Sequence, residues 1–252
     1  MRSFVRGVKY FCGKEYMEMD LFEMTDMNER GKKMGREKKS RPSTAAQKAM
    51  NKKRSIRKLE RLIKTNFSTG TGYFVTLTFD DQHLPATIQG AEKSMKRFLD
   101  RLNHRLKRKH LPNAKWIYVI ESKNKGHRFH IHLIINKVMS RDELEQLWGN
   151  GMANCQNLHM EKTEALSSYL NKEVHEPNQK RWHRSRNLKE PVVQKNDFKY
   201  SHRKLRELSG LTDCPEVFEK ECPGYTLIEA KSTFNEFTGW NIVAKFKKKK
   251  EG

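Results

Sequence analysis

The pattern of apolar and polar positions is clearest between residues 73 and 136. YFVTLTF (73–79) and WIYVIES (116–122) are rich in β-branched and aromatic residues, which is typical of strands. FHIHLIIN (129–136) is a third such run, and the polar, glycine-containing stretch before it predicts a hairpin. Residues 91–109 predict a helix instead, because their apolar side chains recur at helical spacing, at Met95, Phe98, Leu99, Leu102 and Leu106.

The same reading extends beyond this hairpin. Ser140 is a candidate N-cap for a helix that runs through Trp148, residues 151–160 favour a strand, and residues 163–174 favour a helix. The order strand, helix, strand, strand, helix, strand, helix predicts an α+β fold with a central antiparallel sheet and flanking helices.

The two flanks show weaker patterns. Apolar and polar residues alternate from Tyr16 to Met24, which predicts a half-buried strand, and residues 225–246 predict a second hairpin. The sequence leaves open whether these flanks pair with each other. We expect four segments: an N-terminal strand segment (1–27), a basic arm and helix (28–67), a core (68–176), and a basic C-terminal extension (177–252) whose hairpin packs on the core.

A basic helix is predicted over residues 45–64. Thr44 and Gln47 fit a capping box, and Ile56, Leu59, Leu62 and Ile63 form a narrow apolar stripe. Two interpretations stay open: the stripe docks an otherwise solvated helix, or the helix lies along a phosphate backbone. Residues 31–42, just before it, have no apolar face.

Composition adds a strong charge to this picture. The 252 residues include 52 Lys and Arg against 30 Asp and Glu, a net charge of +22, and only 35% are hydrophobic. Residues 28–67 carry 15 basic and 3 acidic side chains, and residues 178–206 carry 10 and 2. Two blocks therefore hold +20 of the charge, which predicts nucleic acid as the first partner and an anionic membrane surface as the second.

Several classes are excluded. The apolar runs are shorter than the 18 to 20 residues, roughly, that a membrane-spanning helix needs. The first residues lack the apolar region of a secretory signal, and the four cysteines show no disulfide spacing. We therefore expect reduced thiols in a cytoplasmic protein that uses no membrane. No phosphate-binding loop of the GxxxxGK[ST] type occurs.

Candidate chemistry is concentrated on the third strand. His130 and His132 are two apart, so their imidazoles share one face of the strand and can chelate a divalent cation. Glu121 ends the partner strand and supplies a third ligand if it stands opposite either histidine. His127, in the turn, is a weaker candidate. The alternative is that both histidines are incidental on a polar strand face.

Tyr169 and Lys172 are neighbours on the last predicted helix, because positions i and i+3 lie on one side. A tyrosine hydroxyl becomes a useful nucleophile when a base or a polarised electrophile assists it. Lys172 can hold a phosphate oxygen. An ordinary half-buried tyrosine is the competing interpretation.

The second basic block carries Trp182, Phe198 and Tyr200 among its arginines, an arrangement suited to stacking unpaired bases. Trp182 can instead pack against the core. The predicted DNA contacts are Lys52, Lys53, Arg54, Arg128, Arg181, Trp182, Arg184 and Arg186.

Three motifs in this order resemble those of HUH endonucleases: TLTFDDQHLP (76–85), GHRFHIHLIIN (126–136) and SSYLNKE (167–173). KRWHRSRNLKEP (180–191) resembles the rolling-circle replication initiators of small plasmids and single-stranded DNA phages. The resemblance covers roughly residues 73–191. It implies metal ligands at His130, His132 and Glu121, a nucleophile at Tyr169 and the motif lysine at Lys172.

The resemblance also implies an activity. Such an enzyme uses Mg²⁺ or Mn²⁺ to nick and rejoin single-stranded or hairpin DNA at a replication origin, through a 5′-phosphotyrosine intermediate. Host helicase and polymerase are expected partners, in the cytoplasm of a bacterial cell. Many phage relatives carry a second tyrosine one helical turn away; here those positions are Ala165 and Glu173, which implies a single-tyrosine enzyme.

Three alternatives remain. A transposase or relaxase of the same superfamily shares the chemistry. A non-catalytic basic nucleic-acid-binding protein needs none of it. An iron oxygenase uses two histidines and one carboxylate, but the charge suits it poorly. Asp80 and Asp81 of the first motif have no derived role: they end a strand and start a turn, or they touch metal or DNA.

Overall fold

The computed structural model describes residues 3–25, 44–122, 128–171 and 180–249. These ranges form two antiparallel five-stranded sheets and six α-helices, which confirms the α+β prediction. The chain divides into two compact units: a first unit, Met1–Lys48 with Glu190–Gly252, and a second unit, Ala49–Lys189. None of the helices in the described ranges has the length and apolar character needed to cross a membrane.

The elements follow the chain in a simple order. The strands are β1 (Ser3–Cys12), β2 (Tyr16–Thr25), β3 (Gly72–Thr78), β4 (Trp116–Ser122), β5 (Phe129–Asn136), β6 (Ala153–Asn157), β7 (His183–Arg184), β8 (Val192–Asn196), β9 (Tyr225–Asn235) and β10 (Gly239–Lys248). The helices are α1 (Ala45–Asn66), α2 (Ile88–Arg108), α3 (Arg141–Trp148), α4 (Thr163–Tyr169), α5 (His202–Ser209) and α6 (Pro215–Glu221). A 3₁₀ turn, Met160–Lys162, leads into α4.

The sheet of the second unit has the order β6-β3-β5-β4-β7. Helices α2 and α3 cover one face, and the five apolar residues predicted for the first of these helices are all buried there. Strand β5 contributes Ile131, Leu133 and Ile135 to the same core. Strand alternation therefore sends His130 and His132 to the opposite face.

Helix α1 packs over part of that opposite face. Leu59, Leu62 and Ile63 are buried against a cluster that includes Ile117 and Ile134. Thr44 caps the helix, its Oγ1 accepting the Gln47 amide at 3.2 Å. The apolar stripe thus docks the helix, as one of the two interpretations predicted.

The sheet of the first unit has the order β8-β1-β2-β10-β9, so the two flanks of the chain do pair, through β2 and β10. Helices α5 and α6 pack on one face of it through Leu205, Leu208 and Phe218. The half-buried prediction for residues 16–24 is incomplete, because Glu18 and Asp20 on the other face of β2 are also buried.

Some boundaries differ from the sequence-based ones. The chain divides at 48/49 and 189/190, whereas composition suggested 27/28, 67/68 and 176/177. The strand predicted over 151–160 is limited to β6, and the helix predicted over 163–174 ends at Tyr169 within the described residues. Residues 26–43 and 172–179 lie outside those residues, and the predicted basic arm at 31–42 is among them.

Candidate active site

The strand register gathers polar residues on the sheet face that carries α1. Glu121 on β4 stands directly opposite His130 on β5, which confirms the register expected for that pair. On the other side of β5, Thr78 is opposite His130 and Thr76 is opposite His132. Directly opposed residues share a face, so all five side chains belong to one polar patch of the sheet.

His132 is held from several sides within this patch. Its ring stacks on Phe74, with ring centroids 5.7 Å apart and planes 8° from parallel. Nδ1 lies 3.4 Å from Thr76 Oγ1, and Nε2 lies 2.9 Å from Glu121 Oε2. Only 9% of the imidazole side chain and 15% of the Glu121 side chain are exposed. The ring is therefore fixed with Nε2 directed at the carboxylate.

Tyr169 completes the group from the end of α4. Its hydroxyl donates to Glu121 Oε2 at 3.1 Å and lies 3.2 Å from His132 Nε2. The two rings meet edge to face, with centroids 5.2 Å apart. Because 41% of Tyr169 is exposed, solvent or a substrate can reach this phenol. A carboxylate and an imidazole thus converge on one accessible phenolic oxygen.

A buried hydrogen-bond chain holds the turn after Tyr169. Asn171 is fully buried; its Oδ1 accepts from Ser55 Oγ at 2.8 Å, and its Nδ2 donates to the Ser167 carbonyl at 2.8 Å. Trp182 Nε1 donates to the same Ser55 Oγ at 3.2 Å. Sequence reasoning missed Asn171 and Ser55. Asn171 belongs to the SYLNK stretch, but its residue type gave no sign of the distant partner.

The donor atoms fit a divalent ion in part. Two adjacent ligands of an octahedral Mg²⁺, each about 2.1 Å from the metal, are about 3.0 Å apart. The 2.9 Å between His132 Nε2 and Glu121 Oε2 matches this spacing. Within the described ranges, no group of three or more His, Cys, Asp and Glu side chains is arranged to hold an ion. The pair fits two coordination positions, with His130 beside it on the same face.

The first motif forms a turn held by its own side chains. Asp80 Oδ1 accepts from the His83 amide at 2.9 Å and lies 2.7 Å from the His83 ring. The hydrogen bond to the His83 side chain lowers the pKa of Asp80. Arg128, a predicted DNA contact, forms an ion pair with Asp81 and donates to the Phe79 carbonyl at 3.2 Å. The turn interpretation of this motif is therefore correct.

The remaining predicted DNA contacts are distributed over two segments. On α1, Lys53 and Arg54 are exposed and Lys52 is half-buried; at β7, Arg184 and Arg186 are exposed and Arg181 is half-buried. Trp182 packs against the apolar cluster beneath α1, as the packing alternative predicted. Lys172 and His127 lie outside the described residues.

Comparison with known protein families gives one finding. Residues 72–174 match the family model of the replication-associated protein ORF2. This match begins at β3 and runs past the tyrosine helix, so it contains Glu121, His130, His132 and Tyr169. It is consistent with a replication initiator. The comparisons with curated proteins and with solved structures give no match.

Proposed function

We propose that this chain is a replication initiator that nicks and rejoins single-stranded DNA at an origin, with Tyr169 as the nucleophile. The observation that carries the proposal is the position of the Tyr169 hydroxyl, 3.1 Å from Glu121 Oε2 and 3.2 Å from His132 Nε2. The match to a replication-associated family over the same residues supports a role in replication.

The chemistry is a phosphoryl transfer to a phenol. Tyr169 attacks the phosphorus of the scissile phosphodiester, the new bond joins its oxygen to phosphorus, and the bond to the 3′ oxygen breaks. The phenolic proton passes to Glu121 or His132, and the departing 3′ oxygen gains a proton to become a free 3′-OH. The 5′-phosphotyrosine keeps the energy of the broken bond, so attack by a 3′-OH rejoins the strand without ATP.

A divalent ion fits this site. His132 and Glu121 would hold Mg²⁺ or Mn²⁺, with His130 as the third ligand, and the ion would neutralise charge on the phosphate. The fixed imidazole of His132 orients its Nε2, and the half-exposed Tyr169 leaves room for a single strand to approach. An extruded or single-stranded substrate suits this site better than a closed duplex.

The first test looks for the covalent product. The protein is incubated with Mn²⁺ and a random-sequence single-stranded oligonucleotide library, and adducts are isolated on denaturing gels. We expect DNA attached at Tyr169, located by mass spectrometry, and enriched for one sequence. Tyr169→Phe should abolish the adduct completely while DNA binding persists, because only the nucleophilic oxygen is removed.

Tyr225→Phe, a half-buried phenol of the first unit, is the matched control and should react normally. An adduct that survives in Tyr169→Phe would assign the nucleophile elsewhere. Wild-type protein that binds DNA but never forms an adduct would leave a non-catalytic binding protein as the function.

The second test removes the metal or its ligands. His130→Ala and His132→Ala should lose cleavage and keep salt-sensitive DNA binding, because phosphate contacts elsewhere are untouched. EDTA should abolish adduct formation by the wild type, and excess Mn²⁺ should restore it. Cleavage that continues in EDTA contradicts the proposed metal dependence.

A further inference from the structure

The first unit contains a polar cavity that the family match does not cover. It has a volume of about 390 Å³ and lies where β1 and β8 meet the segment after β8. This volume is at the small end of the range for ligand sites. The cavity is bordered by Lys9, Gln194, Lys195, Asn196, Lys199 and Tyr200.

The charge around this cavity is positive. Lys199 Nζ lies 2.7 Å from Glu221 Oε2, and Lys9 Nζ donates to the Glu221 carbonyl at 3.1 Å. Burial acts to raise the pKa of Glu221, but its hydrogen bond with Lys199 contributes to a net lowering, so this carboxylate stays ionised. One carboxylate faces three lysines, which leaves the surroundings suited to an anion such as a phosphate group.

Next to the cavity, an anchored turn displays an aromatic side chain. Asn196 Oδ1 accepts the amides of Phe198 and Lys199 at 2.9 and 2.7 Å. The following residue, Asp197, is held by Arg6 through two hydrogen bonds of 2.7 Å. Phe198 is nevertheless 93% exposed. A phenyl ring on a fixed turn loses little backbone freedom when a flat ligand stacks on it.

A second turn in the same unit provides a comparison. Asn235 Oδ1 accepts the amides of Phe237 and Thr238 at 2.9 and 3.2 Å, and Phe237 is 94% exposed. Its surroundings are acidic: Glu236 precedes it, and Glu23 accepts from the Trp240 amide at 3.4 Å. The two turns share a hydrogen-bond pattern and differ in charge, so of these two turns the one at Phe198 combines an aromatic ring with lysines.

We propose that the cavity and the Phe198 turn form a second binding site for single-stranded DNA, with a phosphate at the lysines and an unpaired base stacked on Phe198. Aromatic rings set among basic residues are the usual means of binding unpaired strands. Tyr200, which the sequence grouped with Phe198, has no part in stacking because it is buried at 5% exposure. The choice of DNA as the ligand rests on the proposed function; the site itself needs no cleavage.

The test measures DNA binding by the full chain in EDTA, where cleavage cannot contribute. Fluorescence anisotropy with an oligothymidine of about 16 nucleotides reports the Kd. Phe198→Ala should weaken binding by about 5- to 100-fold, the range expected for one stacked base. Phe198→Trp should restore it, and the matched control Phe237→Ala should change nothing. Lys195→Gln should flatten the salt dependence by about 0.7 in log–log slope.

Equal effects of Phe198→Ala and Phe237→Ala, or no effect of either, overturn the proposal. Vesicles of phosphatidylserine are a second probe, because lysines beside an exposed ring also suit an anionic membrane. Phe198-dependent vesicle binding without Phe198-dependent DNA binding also overturns it.

This outcome is separate from that of the cleavage proposal. With Mn²⁺ and saturating DNA, Phe198→Ala should still form the Tyr169 adduct, whereas Tyr169→Phe should bind oligothymidine normally and form none. Loss of stacking with an intact adduct yield supports the second site even if the adduct maps to another tyrosine.

Discussion

At the scale of single residues, His132 links the chemistry to the fold. Alternation in β5 was enough to predict that His130 and His132 share a face, and the hairpin predicted Glu121 near them. The sequence did not distinguish the two histidines. That distinction depends on Phe74 and Thr76 from β3, whose stacking and hydrogen bonding at His132 come from pairing between distant strands.

Asn171 offers a test of how Tyr169 is positioned. Asn171→Ala removes the acceptor for Ser55 and the donor to the Ser167 carbonyl, leaving buried polar groups unsatisfied. We expect a loss of about 1–3 kcal/mol in the free energy of unfolding, measured with urea. We also expect slower adduct formation at saturating DNA with an unchanged Kd.

Ser168→Ala, an exposed serine on the same helix, is the matched control and should leave both quantities unchanged. An Asn171→Ala variant that is destabilised but reacts at the wild-type rate would show that Asn171 supports the fold without positioning Tyr169.

The Arg6–Asp197 pair predicts a pH dependence. The hydrogen bond from Arg6 lowers the pKa of Asp197. The pair therefore stabilises the protein fully above the unfolded-state pKa, about 3.9, and this stability is lost as the pH falls through the lowered folded-state value. Asp197→Asn should cost about 1 kcal/mol at pH 7. Urea unfolding should show this difference narrowing below about pH 4; a constant difference contradicts the assignment.

At the scale of elements, the long periodic segments were predictable and the short ones were not. Helix α2 buries every apolar residue that its spacing marked. Helices α5 and α6 have eight and seven residues, too few for a helical period to stand out, and their apolar contacts involve strands far away in sequence. The segment 175–210, interpreted as lacking periodicity, contains α5 together with the short strands β7 and β8.

The start of α3 gives an element-scale prediction. Ser140 Oγ accepts the Glu143 amide at 3.2 Å, and Glu143 Oε2 accepts the Ser140 amide at 3.0 Å. Ser140→Ala breaks this capping box and should lower the free energy of unfolding by about 1 kcal/mol. Ser140→Asp retains a capping oxygen and should recover most of the loss in urea unfolding. Equal losses in both variants would assign the effect to something other than the cap.

At the scale of the whole molecule, the charge serves substrate binding more than chemistry. Residues 28–42 contain seven Lys and Arg and lie outside the described residues. Deleting them should weaken DNA binding and flatten its salt dependence, by about 0.7 in log–log slope for each phosphate of a single strand that the arm neutralises. The rate of adduct formation at saturating DNA should not change. Unchanged affinity at about 0.15 M salt would assign the arm another purpose.

The domain organisation was the least predictable property at this scale. Composition marks the basic blocks, but the partner of β2 is β10, at the other end of the chain. Local patterns carry no information about such pairing, so the sequence left it open. The match to the replication-associated family falls within the inserted second unit, and the flanking sheet is known from its strand pairing alone.

The pairing of β2 with β10 also sets an order of events during synthesis. Phe22 is opposite Asn241, so the first sheet cannot close until nearly the whole chain has left the ribosome. A two-stranded hairpin such as β1–β2 is marginally stable alone. The second unit, Ala49–Lys189, is continuous and can fold as soon as it emerges. The tyrosine site should therefore be assembled on the nascent chain while the first unit still awaits its last two strands.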